Sequence, residues 1–541
     1  MQTQRKYGLV AAMIGGLAFA IQAQPIPAEN FDIVKNFDAR LLETNKLSVP
    51  PTLPPIDTAS KRLRYDIAPR PLTLSYPAPQ LRPLGMKAVK EEKPNNGYVK
   101  VGAGLPGAIL GEGGYYIGGS DKFDGKLWVR HHRLNNDKRI ENQRFFDTDA
   151  LAQANIYFSE ALAAEAHVGY SFDRVHFFGY DRERVSFSEE RTRQDFKTLN
   201  IGGRLYSATQ NDADFTFNVA PSLYILTDYY ANKEVGSVVD LEATKWFAEK
   251  HPLRMRLAVD LTKFTDTATT TLNNIYFQPS FAFHHRIFKL KIGANIVSHR
   301  DEFTLFPDAE LGLKIVGDGV QLFAGATGDL RKNTFRTLSA YNPFVDIRAS
   351  RLRNTHYMNF YGGVRGNLGW LDYNGQAGFG RARDLALFQA FAPIDSVTRF
   401  RTVYDTASIF NLQGTVKVKI TEAVTLVGTL SQNVFDLNNE AAPWGLPRTE
   451  GNFGAIVSFL DKRAKIRGDL YIADGIPFNG RDGLRTRTQA LFDLNFGGSY
   501  YFTDNIGVFA DFNNLLNIRR QRWIEYPMFG TNFVAGITAR F

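Results

Sequence analysis

The sequence has no cysteine in its 541 residues. That excludes a disulfide-stapled fold, cysteine-ligated zinc or iron–sulfur centres, and thiol catalysis. A lipid anchor built on an exported cysteine is excluded with them. Long apolar runs are missing too. Gly8 to Ala20 spans 13 residues, and no later stretch reaches the roughly 18 apolar residues that a spanning helix requires. Charge of one sign is scarce: 64 basic against 55 acidic residues leaves +9, and no cluster of the kind that nucleic acid requires stands out. There is no HExxH helix, no G-x-S-x-G elbow and no phosphate loop. What is abundant is phenylalanine (43) and glycine (46), in a chain whose mean hydropathy is only −0.25. Aromatics at 13% exclude a fully disordered chain.

Residues 1–23 read as an export signal. Arg5 and Lys6 precede the apolar run, small residues follow, and cleavage is expected after Ala23. Residues 24–95 hold 12 of the 23 prolines and one glycine, Gly85. Proline fixes φ and removes an amide donor, so this segment is expected to be extended rather than part of a sheet. A solvated linker is one reading; Leu72, Leu74, Tyr76, Leu81 and Leu84 are more apolar than a spacer needs and point to a tail that docks on periplasmic partners or in the lumen.

From residue 96 to 541 the pattern changes to period two. Leu253, Met255, Leu257, Val259 and Leu261 alternate with Arg254, Arg256, Ala258, Asp260 and Thr262. Ile275, Phe277, Phe281 and Phe283, and later Phe492, Leu494, Phe496, Tyr500 and Phe502, repeat it. Strand side chains point alternately to opposite faces, so each segment has one greasy and one wet surface. A soluble sandwich alternates as well. Strands of 9 to 18 residues, aromatics near their ends (Tyr157, Phe158, Tyr500, Phe502) and alternation of tight turns with long loops favour a transmembrane antiparallel barrel. The strand count is 22, with 18 or 20 open. The later strands fall at 354–367, 370–382, 403–420, 423–435, 448–460, 463–473, 486–502, 505–516 and 529–541. Long loops are expected at 174–193, 331–353, 383–402, 474–485 and 517–528, among others. An even count puts both barrel ends, and the tail, on the periplasmic, short-turn side of a Gram-negative outer membrane.

The last strand is the most specific signal. Phe533, Ala535, Ile537, Ala539 and Phe541 form one apolar face ending on a terminal aromatic. Such an ending resembles the strand that the outer-membrane barrel assembly machinery recognises. Before it stand Asn513, Leu515, Asn517, Trp523, Tyr526, Pro527, Gly530 and Gly536. This run resembles the closing hairpin of TonB-dependent receptors. The resemblance implies a receptor-type barrel. It does not extend to the N-terminus, where 72 proline-rich residues stand in place of a plug domain; barrels of this plugless kind suggest the Bacteroidota.

The residues offer no catalytic constellation, no metal site and no cofactor site. Members of the pairs His131–His132 and His284–His285 should point to opposite strand faces. The stretch Gly102–Gly119 lacks the helix that a nucleotide loop requires. The loop Arg174–Gln194 is aromatic and charged, and reads as a solvated surface loop more than a binding loop. Three functions remain open. The first is a scaffold subunit of an outer-membrane complex serving protein assembly or export, with outer-membrane lipid and outer-membrane and periplasmic proteins as partners. The second is a passive or receptor-type channel for solute uptake. The third, an outer-membrane enzyme, has no residue in its favour.

Overall fold

The computed structural model describes residues 95–541 except 301, 350–351, 393–396, 461–462 and 481–482. The export signal and the docking tail with Leu72, Leu74, Tyr76, Leu81 and Leu84 lie outside the described residues.

Twenty-two antiparallel strands form one closed wall. It opens with β1 (Gly97–Leu105), β2 (Ala108–Ser120), β3 (Phe123–Asn135), β4 (Arg144–Tyr157), β5 (Leu162–His176) and β6 (Arg193–Ser207). Then come β7 (Phe215–Asp228), β8 (Lys233–Phe247), β9 (His251–Thr265), β10 (Asn274–His284) and β11 (Phe288–His299). Next are β12 (Glu302–Val316), β13 (Val320–Asn333), β14 (Arg353–Asn367), β15 (Leu371–Phe391) and β16 (Arg399–Lys419). The wall ends with β17 (Val424–Leu437), β18 (Thr449–Phe459), β19 (Ala464–Ala473), β20 (Leu491–Tyr501), β21 (Ile506–Asn513) and β22 (Asn532–Arg540). Each strand pairs with its sequence neighbour. β22 then pairs with β1, from Tyr98↔Arg540 to Leu105↔Phe533, so no edge is left open.

The alternation explains the wall. In β9, Met255 is 46% exposed and Leu257 39%, while Ala258 on the opposite face is 1% exposed. Apolar side chains left out in this way around the whole circumference are stable only against hydrocarbon. The inward face is polar and internally neutralised. Arg256 donates to both oxygens of Asp240 and, at 2.7 Å, to Gln278. Lys332 reaches Asp260 at 2.6 Å, Arg365 reaches Glu310 at 2.8 Å, and Lys100 and Arg467 share Asp511. Phe158, Tyr500 and Phe502 are exposed near the strand ends. Tyr157 is not in that girdle. It donates inward to Asp124 at 2.8 Å, because it is one residue out of phase with Ile156 and Phe158.

Connections at one rim are tight, as at 317–319 and 368–370, where Gly317 and Gly369 take positive φ. Gly97 and Phe541 exchange backbone hydrogen bonds at that same rim. The other rim carries the long connections 177–192, 334–352, 438–448, 474–490 and 514–531. Three of its connections are short (106–107, 229–232 and 300–301), so the alternation of turn lengths is not strict. The expected loop 383–402 is corrected: β15 runs on to Phe391 and β16 begins at Arg399, 21 residues each. The strand expected from 486 starts at Leu491. Arg485–Arg487 pairs instead with Pro477–Asn479 in a separate hairpin. Heights therefore differ around the wall, from those 21 residues to nine in β1 and eight in β21.

Candidate functional site

The long-connection rim folds into a cap with a core of its own. It begins with the tall β15–β16 hairpin, whose register shifts between Ala382 and Leu385, with Asp384 at φ 57°. A bulge of this kind bends a ladder sharply. Beyond it, Phe388 and Phe400 leave the wall and enter an apolar cluster with Phe344, Phe478, Trp523 and Tyr526. Trp523 is wholly buried, with Phe388, Phe400, Phe478 and Tyr341 around it at centroid distances of 5.2–5.8 Å. Phe344 stacks on Tyr526 at 3.7 Å and 17°. The loop Arg174–Gln194 is split by the fold. Phe177, Phe178 and Tyr180 are buried in the cap, while Asp181–Arg184 stay exposed, so the expectation of a wholly solvated loop is corrected.

The cap bridges the barrel mouth. β5 and β15 stand ten steps apart in a ring of 22, almost opposite one another. Yet the backbone N–H of Thr398, just before β16, donates to the carbonyl of Gly179, just after β5, at 2.8 Å. The Tyr526 hydroxyl donates to the carbonyl of the same Thr398. Arg522 is a buried pin beneath: it donates to the Gly445 carbonyl at 3.0 Å and to the Tyr341 hydroxyl at 2.7 Å, joining three loops. Gln143 ties a fourth loop to the Pro527 carbonyl at 2.7 Å. The short helix Phe335–Tyr341 is held by the Glu234 carboxylate of β8, which accepts from the N–H groups of Phe335 and Arg336 at 2.6 and 3.0 Å. Burial pushes the Tyr341 hydroxyl pKa up, and Tyr180 is pushed up to about 12 by the same cause. Both phenols therefore stay neutral at physiological pH; Tyr341 donates to the Gly445 carbonyl at 3.3 Å, and Tyr180 accepts from the Asn142 amide at 2.9 Å. Glu141, at the cap margin, is held below the usual carboxylate range by a hydrogen bond from Ser186.

The closing motif positions this cap. The Asn513 amide donates to Asn532 across the β21–β22 pair at 3.0 Å. Asn514, at φ 48°, accepts from the Ile518 N–H at 3.0 Å and donates to the carbonyls of Ile518 and Phe529 at 2.8 and 2.7 Å. Asn517, at φ 50°, accepts from the Thr531 N–H. Asparagine tolerates this left-handed backbone and supplies both donor and acceptor. A Cβ at Gly530 would lie 2.5 Å from the Asn517 side chain. Leu515 is exposed at the outer margin, and Trp523, Tyr526 and Pro527 belong to the cap. Asn514→Ala removes three hydrogen bonds at about 1 kcal/mol each, with more for orphaned carbonyls. The expected outcome is protease cleavage within 514–531 of the purified protein, while heat-modifiable migration shows the barrel still folded.

Ala535, Ile537 and Phe541 are exposed on the outward face of β22, with Phe533 and Ala539 partly so. His131 points outward to Thr148 at 2.7 Å, and His132 inward towards Asp147. Among the described residues no three His, Cys, Asp or Glu side chains converge as metal ligands. The cap core escaped the sequence reading because its aromatics sit in loops without period. The available signal is the run Leu385–Phe391, apolar but for Gln389, between two alternating strands.

No family model and no curated protein matches the chain. Solved structures do. The FrpB iron transporter from Neisseria meningitidis (F3-3 variant) aligns with a TM-score of 0.65 at 10% identity, over 83% of this chain and 82% of that one. The ferripyoverdine receptor of the outer membrane of Pseudomonas aeruginosa aligns at 0.60 and 11%, over 83% and 72%. The alcaligin outer-membrane receptor FauA from Bordetella pertussis aligns at 0.55 and 10%, over 83% and 77%. The chain is an outer-membrane protein whose 22-stranded barrel has the fold of these receptors.

Proposed function

We propose that this protein is a receptor-type barrel for solute uptake, with the capped rim facing the outside of the cell. The observation that carries the reading is the cap: loops from opposite sides of a wide polar lumen meet across its mouth, as an entrance that admits a captured solute requires. The likeness to barrels described as an iron transporter, a ferripyoverdine receptor and an alcaligin receptor supports uptake over the assembly-scaffold expectation. On this reading the tight-turn rim, where Gly97 and Phe541 meet, faces the periplasm. We also hold that the barrel works without a receptor plug. Among the described residues every strand belongs to the wall, to a short extension of it, or to one of two loop hairpins. A lumen of this polarity conducts or binds, and no residue in it is assigned a catalytic role.

The test is accumulation of a panel of labelled ferric siderophores by cells with and without the protein. At least one should accumulate in a protein-dependent manner and fall to background in its absence. Equal accumulation across the panel, together with stoichiometric co-purification of assembly or export proteins, would return the scaffold reading.

A further inference from the structure

We propose that the lipid-facing wall of β5–β9, at its capped rim, carries a binding site for the phosphate groups of an anionic outer-leaflet lipid. Lys197 shares its strand face with Ile201, Lys233 with Val239 and Leu241, and Lys263 with Leu257 and Leu261, all exposed to the membrane side. The register sets them side by side. Lys197 stands opposite Thr227, Thr227 opposite Lys233, and Lys263 opposite Val235 one step away. Lys197 and Lys233 are thus two strands apart, about 10 Å. Lys197 lies ten residues from Ser207 at the tight rim, which along a tilted strand is about 25 Å, the height of the apolar band. The ammonium groups therefore sit where hydrocarbon gives way to headgroups.

All three lysines are exposed, and none has an ion pair among the described residues. In the lumen, by contrast, Arg256, Lys332, Arg365, Lys100 and Arg467 each have a carboxylate partner. The nearest outward carboxylate, Asp195, is already taken by Arg174 at 2.7 Å and Arg193 at 2.5 Å. Five cations thus share this strip with Asp195. Aromatic rings underlie it: Lys197 lies over Phe172 at 5.2 Å and Arg193 over Tyr229 at 4.9 Å. Like charges at this spacing repel, and anions against the strip relieve that repulsion. Its side chains lie on the outer wall beside Ile201 and Leu223, so the ligand reaches them laterally through the membrane plane. A lipid headgroup with more than one phosphate matches the 10 Å spacing; a free solute entering through the mouth does not meet these residues. The inference rests on the outward placement of the capped rim but not on uptake.

The test uses the full-length protein, delipidated in neutral detergent, with bisphosphorylated lipid A as the probe and native mass spectrometry as the readout. Wild type should retain lipid A, and dephosphorylated lipid A should bind far more weakly. Lys197→Gln/Lys233→Gln/Lys263→Gln should lose on the order of a hundredfold in affinity, with heat-modifiable migration unchanged. Lys126→Gln/Lys417→Gln/Lys419→Gln, which removes three lysines elsewhere on the barrel, should bind as wild type does. Equal retention by wild type and the first variant, equal binding of both lipid forms, or displacement by equimolar inorganic phosphate would overturn the proposal. Failure here with intact siderophore accumulation would leave the uptake reading standing.

Discussion

Trp523→Ala is expected to turn a closed barrel into an open pore. Trp523 is wholly buried at the junction of the β15–β16 hairpin, the helix Phe335–Tyr341 and the hairpin Pro477–Asn479/Arg485–Arg487, and it touches a ring from each. Truncating a buried tryptophan costs about 3–5 kcal/mol. The cap is a thin layer that cannot collapse into the space without pulling on strands of the wall, so the upper part of that range applies. A loss of about 4 kcal/mol multiplies the open population by roughly a thousand. The measurement is single-channel conductance in planar bilayers, backed by the sensitivity of cells to large antibiotics that the outer membrane normally excludes. Wild type should be silent or nearly so. Trp523→Ala should show sustained large openings, and Trp523→Phe, which keeps a ring in the pocket, should behave close to wild type. A silent Trp523→Ala barrel would show that something other than the cap closes the lumen.

The second large effect is at the closure itself. Gly536→Val should abolish the folded barrel. A Cβ at Gly536 would lie 1.9 Å from the Val101 carbonyl and 2.5 Å from the Gly102 Cα, both backbone atoms of the paired strand. Gly102 stands directly opposite, and Gly104, two residues on, meets the Phe533 carbonyl at 1.7 Å in the same way. A flexible side chain could give way; a hydrogen-bonded β1–β22 ladder cannot without parting. The cost therefore exceeds the roughly 1–3 kcal/mol usual for overpacking. Gly414→Val is the matched control, because a Cβ there meets nothing within 4 Å on a central strand. The heat-modifiable band in outer-membrane fractions reads both. It should vanish for Gly536→Val and persist for Gly414→Val. Normal folding of both variants would mean that β1 and β22 pair in another register.

The wall was legible in the sequence because its physics is local. A strand between hydrocarbon and water must alternate, so Leu253–Thr262 announces its own faces. The charge matching across the lumen, such as Arg256 with Asp240, then follows from parity. The cap was not legible because its order comes from contacts between distant segments. Leu385–Phe391 breaks the alternation, with the neighbours Leu387 and Phe388 both buried where the hairpin bends over the mouth, so its sequence has the look of a loop. Phe177, Phe344 and Phe478 carry no period at all. The closing motif is visible as a resemblance, but its work as a bracket of asparagine amides holding the last loop depends on hydrogen bonds between residues up to 15 apart in the chain. The row Lys197–Thr227–Lys233 required the register between strands, which no single strand encodes.

The uneven height of the wall also acts on its surroundings. A tilted strand of nine residues, as in β1, covers about 23 Å, close to the thickness of the apolar band, while the 21 residues of β15 cover about 50 Å. Hydrophobic mismatch is thus built into one side of the molecule. Where β21, β22 and β1 meet, the wall has no height to spare, and the bilayer adjusts by thinning there. Six to eight strands further round the ring, the tall hairpin rises well clear of the hydrocarbon before it bends. Lipid packing around the barrel is consequently asymmetric, with the least ordered acyl chains lying against the strand pair that closes the barrel.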